Sequence, residues 1–326
     1  MQKSKIINWG IIGLGKIAHK FAQDLLTIEN TQLYAVASRN KDNADDFAKT
    51  YHAEITYNDY QSLAKDPNID AVYIATPHTF HNAHAMLCLN HKKAVLCEKP
   101  FAMNLKEVDE MIATAKANNT LLMEAMWTYF LPHYQFALKH LKNKTFGDVL
   151  RIEADFGFNP EIDMNSRVFN KSLGGGSLLD IGIYPIFAAL STLGMPIHIE
   201  SKATFLENDV DSSCLMLFTY NNDVEAHLKS TLLEKTPTEA IFYCEKGVVK
   251  INSNFHEPSR VTLISDGKGN TKHFDYTTNG YDYETRHFNK LIRQGRIESD
   301  VMTFDFSRQL IKLLDTVRLQ IGLNYE

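Results

Sequence analysis

Residues 6–18 constrain this chain more than any other stretch. Ile6-Ile7-Asn8-Trp9-Gly10-Ile11-Ile12 is an apolar run of strand length, and it meets Gly13-Leu14-Gly15-Lys16-Ile17-Ala18. A Gly-x-Gly-x-x-Ala turn between a strand and a helix is how a dinucleotide-binding βαβ unit begins. Gly13 permits the tight turn out of the strand. Gly15 has no Cβ, so the backbone can approach a pyrophosphate. Ala18 stands where a third glycine often sits and lets the helix pack close to the strand. The helix start, at Lys16 and Ile17, offers unpaired N–H groups and a partial positive charge to phosphate. A Gly-rich turn also serves as a plain turn, so the rest of the chain has to decide.

The rhythm that follows is strand, helix, strand. Ile17, Phe21, Leu25 and Ile28 carry a helical spacing. The strand Gln32–Ala37 ends at Ser38-Arg39, where the adenosine ribose lies in such a fold. An acidic residue there would hold the 2′-hydroxyl of NAD. Arginine forks onto a 2′-phosphate, which favours NADP, with NAD still possible; a solvated surface arginine is the alternative. Ala71–Ala75 reads as a central parallel strand and ends in Thr76-Pro77-His78, with His81 on the helix that follows. Ala94–Cys97 is another strand and stops at Glu98-Lys99-Pro100. Asn104 and Glu107 form a capping box for a helix to about Asn118. Leu121–Ala125 is a last strand. These alternations predict an α/β fold, a doubly wound Rossmann sheet over 1–124.

After Trp127 the pattern changes. A helix over Phe130–Leu141, a strand over Asp148–Phe158 and an irregular loop over Asn159–Leu173 lead to Gly174-Gly175-Gly176 and a strong helix, Ser177–Leu193. Strands and turns fill 197–276. Helices close the chain at Asp282–Arg293 and Thr303–Ile321. Residues 125–326 therefore predict an α+β domain on a large, mainly antiparallel, open-faced sheet, with the helix near 303–321 expected to pack back on the first domain.

The formal charge of the 326 residues is −5, and no basic patch interleaves with aromatics, so nucleic acid is not an expected partner. No run of about 18 apolar residues was read as a membrane span, and no signal peptide is apparent. The four cysteines have neither metal-like nor disulfide-like spacing, so a cytoplasmic, reducing location is expected. His78, His81 and His84 sit three apart and do not share one close-packed helix face as i, i+4 ligands do. No metal is expected.

Ligands bind beyond the carboxyl ends of such strands, where His78, His81, Glu98, Lys99 and Trp127 fall. Asp180 and Tyr184 are four apart on a predicted helix and point from one face. A lysine, an aspartate and a tyrosine are thus available to converge on one carbinol. Trp127, Phe130 and Phe158 suit an apolar wall against a ring or sugar face, and Phe158 suits core packing equally. His81 either caps a helix turn or lines the cofactor pocket.

Several motifs agree in order and spacing with one family. They are Gly13-x-Gly15-x-x-Ala18, Ala75-Thr76-Pro77-x-x-x-His81, Glu98-Lys99-Pro100 and Gly174-Gly175-Gly176-Ser177-x-Leu179-Asp180-Ile181-Gly182-Ile183-Tyr184. The chain resembles the Gfo/Idh/MocA oxidoreductases over essentially its whole length. It is most similar to their dimeric dihydrodiol dehydrogenase branch, which includes NADP-dependent D-xylose dehydrogenases. The resemblance implies hydride transfer between nicotinamide and a secondary alcohol of a sugar, polyol or cyclic diol. It implies Tyr184 as acid/base, and Lys99 on the nicotinamide ribose and substrate. It also implies a homodimer formed face to face through the second sheet. Relatives in the branch usually carry arginine after the Trp-Thr pair; here that position is Tyr129. An NAD-dependent sugar or inositol dehydrogenase, and a non-catalytic NADP-binding sensor, are the alternatives.

Overall fold

The computed structural model describes residues 5–325. In chain order the first elements are β1 (Ile7–Ile12), α1 (Lys16–Leu25), β2 (Thr31–Ala37), α2 (Lys41–Tyr51), β3 (Ile55–Tyr57), α3 (Tyr60–Lys65), β4 (Ala71–Ile74), α4 (His81–Asn90), β5 (Ala94–Glu98), α5 (Leu105–Ala117) and β6 (Leu122–Ala125). The six strands form one parallel sheet in the order β3-β2-β1-β4-β5-β6. That is the doubly wound arrangement expected, with its switch point between β1 and β4. The short β3 and α3 carry no strong periodic signal and were not read from the sequence.

The second group comprises α6 (Pro132–Lys142), β7 (Val149–Gly157), α7 (Ile183–Leu193), β8 (His198–Phe205), β9 (Asp211–Thr219), β10 (Glu225–Thr231), β11 (Ala240–Cys244), β12 (Gly247–Ile251), β13 (Val261–Ser265) and β14 (Lys268–Lys272). Its eight strands pair in the order β14-β13-β12-β11-β7-β10-β9-β8, antiparallel except for β7 with β10. The turn read over 266–270 is shorter than expected. Asp266 and Gly267, at φ 49° and 71°, make it alone, and β14 starts at once.

Helices α8 (Tyr281–Arg293) and α9 (Phe304–Ile321) end the chain. By packing, residues up to Trp127 together with Tyr276–Arg308 form one compact unit, and Thr128–Asp275 with Gln309 onward form the other. The division near 127 lies close to the boundary read after 124. The return of α8 to the first unit has no local signal in the sequence, and the division at Arg308 falls inside α9.

The reason α8 belongs to the first unit is visible in its bonds. Asp24 of α1 is 2% exposed and accepts the Asn279 N–H at 3.0 Å and the Tyr281 N–H at 2.8 Å, so it caps α8 across 257 positions of sequence. The Trp9 indole N–H donates to Asn289 Oδ1 at 3.1 Å, and the Trp9 ring lies 5.2 Å from Phe288. Phe21 stacks on Tyr73 at 3.7 Å. Ile17, by contrast, is exposed, so α1 turns its first apolar residue away from this core.

One stretch, Lys171–Leu193, is long and apolar enough to cross a membrane, contrary to the expectation of no such run. Of its most apolar 18 residues, 94% are buried inside the protein, as expected of a core segment that ends in α7.

Candidate active site

The opening turn is shaped as its glycines require. Gly13 has φ +87°, and a Cβ there would lie 2.7 Å from Thr76 N and Ala75 C. Only glycine fits between the ends of β1 and β4 at the switch point. Gly15 is the N-cap of α1. It makes no side-chain cap bond, and a Cβ built on it would meet nothing within 4 Å. The start of α1 thus has no side-chain cap, and an α-helix leaves its first N–H groups without intrahelical partners, which suits a phosphate. Lys16 and Ile17 are exposed beside it. Ala18 is fully buried, as close helix–strand packing demands. Ser38 follows β2, and its hydroxyl accepts the Asn40 N–H at 3.2 Å; Arg39 next to it is exposed.

The loop after β4 and the turn after β5 are tied together. Thr76, His78 and His81 are buried. The Thr76 hydroxyl pairs with His84 Nδ1 at 3.0 Å. Burial, then His81 and Arg39, push the His84 imidazole down to about 4. His81 meets the carbonyls of both Thr76 and Pro100. Lys99 is half-buried on a cis Lys99–Pro100 bond, and its N–H donates to Glu98 Oε2 at 3.2 Å. The Tyr73 hydroxyl donates to Glu98 Oε1. Behind this turn lie two more carboxyls that the sequence did not reveal. Burial pushes Glu124 up to about 7. Glu284 is fully buried, and neither of its oxygens has a partner among the described residues. Burial, with Glu98 and Asp24, raises it well above the usual carboxylate range. Trp127 is buried and stacks on Tyr281 at 4.4 Å and 11°.

In the second unit, Asp180 and Tyr184 lie on one continuous helical stretch, but it is not a uniform α-helix. Leu178–Gly182 winds as a π-helix, and α7 restarts at Ile183. Pro185 explains the restart. It has no N–H to give to Ile181, and within the first turn of α7 none is needed. The even i, i+4 face expected for Asp180 and Tyr184 is therefore altered by the wider turn. Arg167 Nη2 donates to both oxygens of Asp180, at 3.0 Å each. Tyr184 is buried, with the Phe156 ring at 5.6 Å and the His256 ring at 5.0 Å. Phe158 packs with Phe156 against a cluster of Phe169, Ile181 and Leu232. Phe130 lies 6.4 Å from Tyr129, which in turn meets Phe187 at 5.1 Å.

The triple glycine has a buried seat. Asp211 is fully buried; its Oδ2 accepts the Ser177 hydroxyl at 2.8 Å and the Leu178 N–H at 2.7 Å. Its Oδ1 has no partner among the described residues, and burial pushes the carboxyl up to about 7. Gly176 has φ +122°, and a Cβ there would fall 2.0 Å from Asp211 Oδ1. The Tyr325 hydroxyl donates to the Gly175 carbonyl at 2.7 Å. Arg167, Asp211, Phe156 and His256 were all missed in the sequence. They come from other elements, and no local motif marks them.

A six-stranded parallel sheet with a glycine turn at its switch point, followed by an eight-stranded, mainly antiparallel sheet, defines a Rossmann-type nucleotide-binding protein of two units. Residues 7–126 match the model of an oxidoreductase family with an NAD-binding Rossmann fold, and 134–250 match the GFO/IDH/MocA C-terminal domain. The chain belongs to the Gfo/Idh/MocA oxidoreductase family. It is 35% identical to trans-1,2-dihydrobenzene-1,2-diol dehydrogenase of Xenopus tropicalis, over 97% of this chain and 98% of that one. It is 35% identical to scyllo-inositol 2-dehydrogenase (NADP(+)) IolU of Bacillus subtilis, over 98% of each. KijD10, a 3-ketoreductase from Actinomadura kijaniata solved in complex with NADP and TDP-benzene, superposes with a TM-score of 0.88 at 25% identity, over 97% of this chain and 98% of that one.

Proposed function

We propose that this protein is an NADP-dependent dehydrogenase that moves a hydride between nicotinamide and a secondary alcohol or ketone of a sugar, polyol or cyclic trans-diol. The observation that carries this is the joint presence of Lys99 after β5 and of Asp180 and Tyr184 on one buried helical stretch, in a chain whose first turn is open for a dinucleotide. The relatives named above act on diols and on an inositol with NADP(+), and the neighbouring structure holds NADP.

Bound NADP supplies the hydride acceptor at its nicotinamide ring. Gly13, Gly15, Lys16 and Ile17 would flank its pyrophosphate, Ser38 and Arg39 would take the 2′-phosphate, and Thr76, Pro77, His78 and Glu98 would line the remainder, with His81 behind them. Lys99 would hold the nicotinamide ribose. Tyr184 takes the hydroxyl proton as the substrate carbon gives up its hydride. A free tyrosine titrates near 10, so a base at neutral pH needs a cation to favour its phenolate, a role the family resemblance gives to Lys99. Asp180, held by Arg167, orients the substrate hydroxyl. Trp127, Phe130 and Phe158 supply the apolar wall, joined by Phe156 and His256 beside Tyr184.

The open face of the eight-stranded sheet holds a shallow concavity of about 760 Å³, lined by Leu215, Leu217 and Ile241 among charged residues such as Glu153 and Lys229. Leu215 is 53% exposed there. A second copy of this chain covers that face. Light scattering at twice the 37.1 kDa chain mass is expected, and a monomer refutes it. The four unpaired cysteines, three of them buried, suit a reducing cytoplasm.

The test is a spectrophotometric screen of aldoses, inositols and diols with NADP(+). Tyr184→Phe should lower kcat by on the order of 10²- to 10⁴-fold, the usual weight of a general acid/base. Lys99→Met should lower kcat for alcohol oxidation and move the acidic limb of its pH profile to higher pH, because the phenolate loses its cation. Near-normal turnover in Tyr184→Phe removes the acid/base role.

A further inference from the structure

His81 is fully buried, and both of its ring nitrogens are engaged. Nδ1 lies 2.8 Å from the Pro100 carbonyl oxygen, and Nε2 lies 2.7 Å from the Thr76 carbonyl oxygen. A carbonyl only accepts, and a neutral imidazole carries a single N–H. A neutral ring would therefore set a nitrogen lone pair against a carbonyl lone pair at one of the two contacts, out of reach of water. A ring with two N–H groups satisfies both, and hydrogen bonds from a charged donor are the stronger kind.

We propose that His81 is a doubly protonated positioning residue, a buried imidazolium that clamps the Thr76 carbonyl of the loop after β4 to the Pro100 carbonyl of the turn after β5. The clamp joins the segment that lines the cofactor to the turn that presents Lys99. His81 then stands behind the cofactor loop and works through Thr76 and Lys99. Ionisable groups near it include His78, whose ring is 5.9 Å away, and His84, which feels both His81 and Arg39; Glu98 and Lys99 immediately precede Pro100. The clamp's role in turnover rests on the dehydrogenase reading, whereas the protonation state of the ring stands without it.

Two measurements test this separately. With histidine ring nitrogens labelled, the folded chain at neutral pH should show two slowly exchanging N–H protons on one ring, both absent from His81→Gln. A neutron structure gives the same answer if that variant does not fold. One N–H on His81 overturns the proposal whatever the enzyme turns over. In kinetics, His81→Gly should lose roughly 10- to 100-fold in kcat, as misplacement of a catalytic group does, with a smaller change in NADP affinity. Added imidazole should restore part of that loss, but none of the loss in Lys99→Met. Weakened NADP binding with unchanged kcat at saturating cofactor makes His81 a cofactor contact and overturns the clamp. If no alcohol is oxidised at all, the dehydrogenase reading fails and the ring protons still decide this one.

Discussion

Glu124→Gln isolates the cost of keeping a carboxyl inside the first unit. Glu124 lies within β6 with 2% exposure, and its Oε1 accepts the Phe101 N–H at 3.2 Å. Burial is the largest influence on it. Hydrogen bonds from Ser307 and Phe101 oppose burial, Glu98 adds to it, Lys99 opposes it, and the result is about 7 against an ordinary 4.5. The folded chain therefore binds more protons than the unfolded chain between those values. The contribution to stability is fully present below 4.5 and is lost as pH rises through about 7. A shift of that size corresponds to about 3 kcal/mol. Glutamine keeps an acceptor for Phe101 and does not titrate. Relative to wild type, the variant should gain about 3 kcal/mol between about pH 4 and about pH 8, while any pH-independent cost of the amide cancels. The assay is urea unfolding followed by tryptophan fluorescence. The chain has two tryptophans, Trp9 and Trp127, and both lie in the first unit, so the signal reports that unit even if the other unfolds separately. Stability curves that stay parallel across this pH range would refute the reasoning, because Glu124 would then have water or a counter-charge in solution.

Other perturbations follow from the same geometry. Arg39→Ala should raise KM for NADP by about 10- to 100-fold, the worth of hydrogen bonds to a charged group, and leave NAD nearly unaffected; equal losses with both cofactors in initial-rate assays refute the 2′-phosphate role. Gly13→Ala places a Cβ 2.7 Å from Thr76 N at φ +87°, so it should cost about 1–3 kcal/mol in the same fluorescence assay and abolish NADP binding by titration. Asp211→Ala leaves the Leu178 N–H and the Ser177 hydroxyl without their carboxylate. About 1–3 kcal/mol is lost per unmade bond, read as faster hydrogen exchange at Leu178.

Local signals carried the fold a long way. The strand–turn–helix at Gly13–Ala18 and the Asn104 cap, whose Oδ1 accepts the Glu107 N–H at 3.0 Å, are short-range features that a one-dimensional reading can see. So are Lys99, Asp180 and Tyr184, which sit inside dense motifs. What stayed hidden depends on partners far apart in sequence. Asp24 reads as an ordinary helix residue until Tyr281 arrives. Asp211 reads as the start of a strand until the Gly176 turn closes on it. Arg167 lies in a loop with no periodicity, and its bond to Asp180 exists only because that loop folds back. Pro185, which cannot donate to Ile181, is the local trace in the sequence of the π-turn at Leu178–Gly182. His81 shows the reverse limit. Its motif pointed to the cofactor, and only its two carbonyl partners expose the other role.

The first unit is discontinuous, and this has a consequence for how the chain is made. A ribosome releases all six strands of the parallel sheet before any of α8 exists. Until then Asp24 has no helix to cap, and the Trp9 indole has no Asn289 to bond. Central strand β7 waits in the same way for β10 and β11, its two neighbours in the finished sheet. Domains commonly fold as units, with the N-terminal one first during synthesis. Here neither unit is closed until the last fifth of the chain emerges, so the nascent nucleotide-binding half spends most of translation incomplete and dependent on whatever shields it.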